Sequence, residues 1–192
     1  TLDGSSAASD VYKRQEQKRT YQYYNEFNMK QIYVLRHAKS SWDNSNLSDF
    51  ERPLSKRGIR DANKLSIFLK NMDLMIDIVL CSTAVRAKDT FDLTAYGFNF
   101  EIGKATYTDK LYFGDVSSII VRLKEIDDSL KNILIVGHNP TLHYLVESLT
   151  NTKMDRFKTC NLAIITHDGN WNSLGSKKSS LKSLIKPKEL KN

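Results

Sequence analysis

Arg36-His37 follows the apolar run Gln31 to Leu35, and Gly137-His138-Asn139 follows the run Asn132 to Val136. Ser82 and Thr83 close a third run, Ile76 to Cys81, and Arg86 stands three residues beyond Thr83. If these runs end side by side, two guanidiniums and two imidazoles surround one electropositive hole. Arginine forks bond tetrahedral oxyanions through paired N–H groups. Helix N-termini opening after Ser82/Thr83 and at Asn139 would add backbone donors and positive dipole ends. The guest such a hole fits is a phosphoryl group. A neutral imidazole attacks phosphorus without first losing a proton, and the phosphoramidate it forms is labile enough for water to finish the reaction. The resident cations balance the phosphate charge, so no metal and no cofactor is expected. The absence of an Asp/Glu pair or triad with ligand-like spacing agrees with that reading.

For those groups to meet, the runs that carry them must be strands of one parallel sheet. Residues 31 to 36 read as a buried strand, 76 to 81 as a second, 98 to 108 contain another strand-like stretch, and 132 to 137 are a fourth. A helix is predicted over 55 to 71, with Ile59, Ala62, Leu65, Leu69 and Met72 at spacings of three and four and Ser55 as its cap. A second helix runs from about Thr83 to Tyr96 and stops at Gly97. Asp115 caps a third, whose apolar face is Val116, Ile119, Ile120, Leu123 and Ile126. Asn139 caps a fourth with Pro140 at its first position and Leu142, Leu145, Val146 and Leu149 as its stripe. Residues 161 to 175 read as a hairpin around Asp168-Gly169-Asn170. Alternating strands and helices predict an α/β fold, a three-layer α/β/α sandwich with a mostly parallel central sheet. Ligands of such sheets bind at the carboxyl ends of the strands, where Arg36, His37, Ser82, Arg86 and His138 fall.

Four segments in order then resemble a known family. Leu35-Arg36-His37-Ala38-Lys39-Ser40-Ser41-Trp42 resembles the RHG/RHA signature of the histidine phosphatase (phosphoglycerate-mutase-like) superfamily, and looks most like its small SixA-type phosphohistidine phosphatase branch. Asp49 to Gly58 (Asp-Phe-Glu-Arg-Pro-Leu-Ser-Lys-Arg-Gly), Cys81 to Ala87 (Cys-Ser-Thr-Ala-Val-Arg-Ala) and Val136 to Pro140 (Val-Gly-His-Asn-Pro) agree with it, as does the closing Lys186-Pro187-Lys188-Glu189-Leu190. The likeness covers roughly residues 30 to 190. It implies that His37 is the nucleophile that becomes phosphorylated, that Arg36 and Arg86 bind the phosphoryl group, and that His138 contacts it and stabilises the transition state.

The chain departs from the wider superfamily at one point. Many phosphomonoesterases and mutases of the superfamily carry a Glu or Asp acid between the second Arg and the second His, worth about 100- to 10,000-fold in rate. The stretch Thr108 to Asp115 has no Leu-x-Glu, and its Leu111-Tyr112 resembles the SixA-type branch, where that acid is absent. Asp109 and Asp115 are candidate replacements, although helix capping is the expected work of Asp115. A phosphoramidate with a protonated nitrogen already has a good leaving group. The expected substrate is therefore phosphohistidine on a protein. A general phosphomonoesterase of small molecules, using Asp109 or Asp115, and a low-turnover phosphate-binding signalling module are the alternatives.

Other residues carry weaker expectations. Lys39, Ser40, Trp42, Asn44, Arg52, Ser82 and Asn139 are candidate substrate contacts, with packing the competing role for Trp42 and an ion pair that orients the site for Arg52. His143 and His167 read as structural or exposed, and Cys81 as a small buried hydrophobe.

The 192 residues suit one domain with tails, and no apolar run approaches the ~20 residues that cross a bilayer. Residues 1 to 28 are polar, aperiodic and of zero net charge. They read as a disordered or non-native extension ahead of Met29, or else as a partner-binding arm with Tyr21, Tyr23, Tyr24 and Phe27. The histidine phosphatase domain is expected over 29 to 192. The net charge of +7 is concentrated in a Lys-rich end from 175 onwards, which reads as a solvated tail rather than a nucleic-acid surface. Two cysteines and no export signal point to a reducing cytoplasm.

Overall fold

Alternation within the first strand dictates the layers. The computed structural model describes residues 10–16, 29–176 and 179–190. In β1 (Lys30–Arg36), Ile32 and Val34 point into one core, while Tyr33 and Leu35 point into the other. A strand buried on both faces needs cover on both, and helices supply it. On one face α2 (Lys56–Lys70) and α3 (Val85–Ala95) contribute Ala62, Leu65, Leu69, Phe91 and Ala95. On the other, α5 (Val116–Lys124) and α6 (Thr141–Thr150) contribute Ile119, Leu123, Leu142, Leu145, Val146 and Leu149, with Leu111 from the short α4 (Lys110–Phe113). Each fully buried large aliphatic side chain stabilises the fold by about 1.5–3 kcal/mol. An additional exposed helix, α1, spans residues 10–16; the rest of 1–28, including the four aromatic residues noted above, lies outside the described residues.

The remaining strands are β2 (Ile78–Ser82), β3 (Thr106–Thr108), β4 (Asn132–Gly137), β5 (Leu162–His167) and β6 (Ser179–Ile185). They form one six-stranded sheet in the order β3-β2-β4-β1-β5-β6. The pairs β3–β2, β2–β4 and β4–β1 are parallel, and β5 runs antiparallel to both its neighbours. This is a three-layer α/β/α fold around a mostly parallel sheet. Among the described residues no helix is long and apolar enough to cross a membrane.

Several local expectations change. Of the apolar stripe on α2, Ala62, Leu65 and Leu69 are buried, but Ile59 and Met72 are 42% and 38% exposed, because only the inner edge of the stripe reaches the sheet. The stretch 98–108 is a strand only over Thr106–Thr108, after a 3₁₀ turn at Ile102–Lys104. The hairpin is wider than its turn signal implied: a 3₁₀ turn at Trp171–Ser173 intervenes, and the return strand starts at Ser179. Part of the Lys-rich end is thus an edge strand, not a solvated tail. Leu181 and Leu184 turn inward on it, while Lys182 stays exposed, a charge that discourages edge-to-edge pairing.

The amino-terminal end of the sheet is closed by a polar latch. Lys30 is 2% exposed, bonds the Asp128 carboxylate, and lies 4.8 Å over the Trp171 ring. Trp171 donates from its indole to Leu130 O at 2.8 Å and from its backbone to Asp128 at 2.8 Å. His167 is fully buried and stacks on Trp171, which makes it structural as expected.

Candidate active site

Register decides convergence. Arg36 lies opposite Gly137 on β4, and Cys81 lies opposite Val136, so the carboxyl ends of β1, β4 and β2 stop at one level. The next residues, His37, His138 and Ser82, therefore share one edge of the sheet. The His37 and His138 rings are 4.9 Å apart between centroids. Arg86, on the first turn of α3, reaches back so that its Nε donates to His37 Nε2 at 3.4 Å. Arg36 donates from Nη1 to Phe157 O at 2.8 Å, while its buried Nε has no partner among the described residues.

The two histidines are held by opposite ends of their rings. His37 Nδ1 lies 2.7 Å from Ala38 O. A carbonyl can only accept, so the proton sits on Nδ1 and the lone pair on Nε2 faces Arg86. Burial above all, then the neighbouring His138, pushes the His37 ring down to about 3, against the opposing pull of the Ala38 carbonyl. His138 Nε2 meets Ser82 Oγ at 2.8 Å, leaving a buried Nδ1 without a partner among the described residues. Burial, reinforced by Arg86, lowers His138 to about 3 as well. Both rings are neutral at ordinary pH. Beneath them Ala38 N donates to Thr90 Oγ1 at 2.9 Å, which ties the loop after β1 to α3.

Two residues absent from the sequence-derived set complete the rim. Asp49 Oδ2 accepts from Arg86 Nη2 at 2.8 Å and from the Tyr112 hydroxyl at 2.8 Å, and its Oδ1 accepts from Arg52 Nη1 at 2.6 Å. Burial works to raise the Asp49 carboxyl, but the Tyr112 hydroxyl and the Arg86 guanidinium outweigh it and hold it below the usual carboxylate range. The Tyr112 ring stands edge-on to His138, 5.1 Å between centroids. Asp49 had one sequence signal, its i,i+3 spacing to Arg52 within the Asp49 to Gly58 segment. Tyr112 stood in the Leu111-Tyr112 pair that resembles the SixA-type branch, but its bond to Asp49 spans 63 positions and had no local signal.

The other expected contacts divide. Ser82 is at the site, bonded to His138. Arg52 is buried but works on the loop: it bonds Ser40 Oγ and, at 3.0 Å, Ser41 O, and stacks 3.3 Å from the Trp42 ring. Trp42 is 70% exposed beyond it. Asn44 is exposed, and its side chain accepts from Asn46 N at 3.0 Å in an Asx turn. Lys39 is exposed, and its carbonyl accepts from Ser55 N at 2.8 Å. Asn139 does not cap α6, which begins at Thr141; its Nδ2 donates to Phe157 O at 2.8 Å, the carbonyl that also holds Arg36. Asp115 caps α5 by accepting from Ser118 N at 2.8 Å, and exposed Asp109 accepts from the Thr83 hydroxyl. At the start of α3, two of the expected donors are used within the chain: Ala84 N bonds Ser82 Oγ at 3.4 Å and Val85 N bonds Phe50 O at 3.1 Å.

Two neutral imidazoles between two guanidiniums can receive a tetrahedral dianion and attack it. Comparison with known proteins gives the same direction. The family model for the histidine phosphatase superfamily (branch 1) matches residues 32–119. An uncharacterized protein of Mycobacterium leprae is 33% identical over 152 residues, covering 73% of this chain and 91% of the relative. The phosphohistidine phosphatase SixA of Escherichia coli is 26% identical over 144 residues, covering 74% of this chain and 88% of its own. The solved structure of the protein histidine phosphatase SixA complexed with tungstate superposes with a TM-score of 0.73 at 26% identity, over 84% of this chain and 99% of that one. A phosphoglycerate mutase from Bacillus anthracis shares the fold, with a TM-score of 0.59 at 18% identity over 81% of this chain and 92% of its own. With its strand ends, paired histidines and arginines arranged in this way, the chain belongs to the histidine phosphatase superfamily.

Proposed function

We propose that this phosphatase hydrolyses phosphohistidine on a protein, through a covalent phosphohistidine on His37 and without a metal. The observation that carries the reading is the presentation of His37. Its proton is committed to Ala38 O, and its Nε2 lone pair faces the Arg86 guanidinium at 3.4 Å. Arg36 and Arg86 bind the phosphoryl oxygens. The His37 Nε2 lone pair forms the N–P bond as the bond to the substrate imidazole breaks; the leaving nitrogen keeps that electron pair, and the ring departs neutral because its other nitrogen already carries the proton. The phosphorylated ring keeps its Nδ1 proton and becomes cationic, and the Ala38 carbonyl steadies it. Water then attacks phosphorus, phosphate leaves, and the neutral ring returns. His138, with Nε2 bonded to Ser82, has a buried Nδ1 without a partner among the described residues, and that nitrogen is the group proposed to stabilise the transferring phosphoryl.

The carboxylates support the choice of substrate. Asp115 is committed to its helix cap, Asp109 to Thr83, and Asp49 to Arg86, Arg52 and Tyr112. An alkoxide leaving group would need a proton that none of them is placed to spare; a protonated phosphoramidate needs none. Cys81 and Cys160 are both buried and unpaired, which supports a reducing compartment such as the cytoplasm.

The test is rapid-mixing kinetics with an activated aryl phosphate. Wild type gives a burst and an acid-labile phosphoenzyme; His37→Ala loses both and at least about a thousandfold in rate. A phosphoenzyme surviving in that variant would remove His37 from the role. Turnover is then compared between a phosphohistidine peptide and a panel of sugar phosphates, and higher kcat/KM on the sugars would overturn the substrate.

A further inference from the structure

Beside the catalytic hole the surface opens into a groove of about 520 Å³ that shares Arg36 and Asn139 with it. Its charged lining is lopsided: Arg36, Lys39, Arg57, Arg156 and Lys158 face a single carboxylate, Asp155. Lys39, Arg156 and Lys158 make no ion pair among the described residues, and Arg57 has only a 3.4 Å contact to Asp61. These cations, from the loop after β1, α2 and the loop 155–159, make the groove positive, and Arg36 joins it to the phosphoryl hole. Asn139 Oδ1, in the same lining, is buried and has no partner among the described residues. The walls also carry apolar surface from Pro140, Tyr144 and Phe157, with Tyr144 55% exposed.

We infer that this groove docks an acidic stretch of polypeptide flanking the phosphorylated residue. The inference rests on the proposed protein substrate and names the feature by which that substrate is chosen. Four long cationic side chains from three segments are more than one small anion engages at once, whereas alternating Asp and Glu side chains span them while intervening residues cover the apolar wall. Continuity with Arg36 makes the same docking event deliver the phosphoryl group to His37.

The test uses matched phosphopeptides whose flanks are either Asp/Glu-rich or neutral, each in a phosphohistidine and a phosphoserine form. Wild type favours acidic flanks by about tenfold in kcat/KM, mostly through KM, and added salt erases the preference. Arg156→Glu/Lys158→Glu loses that preference while turnover of an activated aryl phosphate is unchanged. Binding of the unphosphorylated acidic peptide, followed by fluorescence anisotropy, weakens in parallel. Equal use of acidic and neutral flanks by wild type would overturn the docking site, as would a bisphosphorylated small molecule losing as much in the variant as the peptide does. Because flank preference is read separately within each phospho-form, a failure of phosphohistidine selectivity is told apart from a failure of the groove.

Discussion

The Arg86 guanidinium has two jobs that pull on the same group. Its Nε faces the proposed nucleophile His37, while Nη2 is held by Asp49 at 2.8 Å. Arg86→Ala and Arg36→Ala are each expected to cost about 2–4 kcal/mol of transition-state stabilisation, read as the fall in kcat/KM. Asp49→Ala leaves every proposed phosphate ligand in place but removes the carboxylate that Arg86, Arg52 and Tyr112 share, while Arg86 keeps its bond to the Asp49 main-chain carbonyl. Loss of charged hydrogen bonds of about 1.5–3 kcal/mol predicts a ten- to hundredfold drop in kcat/KM, partly restored by Asn, which can still accept from Arg86. An unchanged kcat/KM would mean that Arg86 holds its place unaided. Both histidines, lowered to about 3, should show ring NMR signals that do not titrate between about pH 8 and about pH 5.

At the scale of elements, the loop that follows β1 is shaped from outside the site. Gly58, in the first turn of α2, lies so close to this loop that a Cβ would sit 2.2 Å from Lys39 O. Ser55 caps the same helix through Gly58 N and bonds that same carbonyl through its own backbone and hydroxyl. Gly58→Ala must displace the loop or the helix, at about 1–3 kcal/mol of stability. The expected result is a lower thermal midpoint together with a raised KM, although no phosphate-binding atom is altered. The same elements show what sequence reveals. Strands and amphipathic helices were legible because their periods are local, and Arg36, His37, Arg86 and His138 were legible because they stand at strand exits. The pairing of Asp49 with Tyr112 was not, since it brings the loop that precedes Arg52 against the short helix α4 across 63 positions. Asn139 was misread because its amide bonds Phe157 O, a tertiary partner that no local capping pattern can report.

For the whole molecule, neutral buried histidines couple folding to acidity. In the unfolded chain these rings take up protons near pH 6.5, whereas in the folded protein they resist until about 3. The unfolded state thus binds more protons across that window, and stability is lost as pH falls from about 6.5 toward about 3. Thermal midpoints measured over this range should decline for wild type, and the slope should flatten in His37→Gln/His138→Gln. A slope identical in both would assign the acid sensitivity to carboxylates.

The latch of Lys30, Asp128 and Trp171 closes the sheet at the end away from the paired histidines. Lesions in the molecule should accordingly sort by latitude. A deep mutational library scored in parallel for abundance in cells and for turnover per folded copy would separate the two ends: changes at the latch deplete the protein yet spare each surviving copy, and changes at the paired histidines and arginines leave abundant but idle chains.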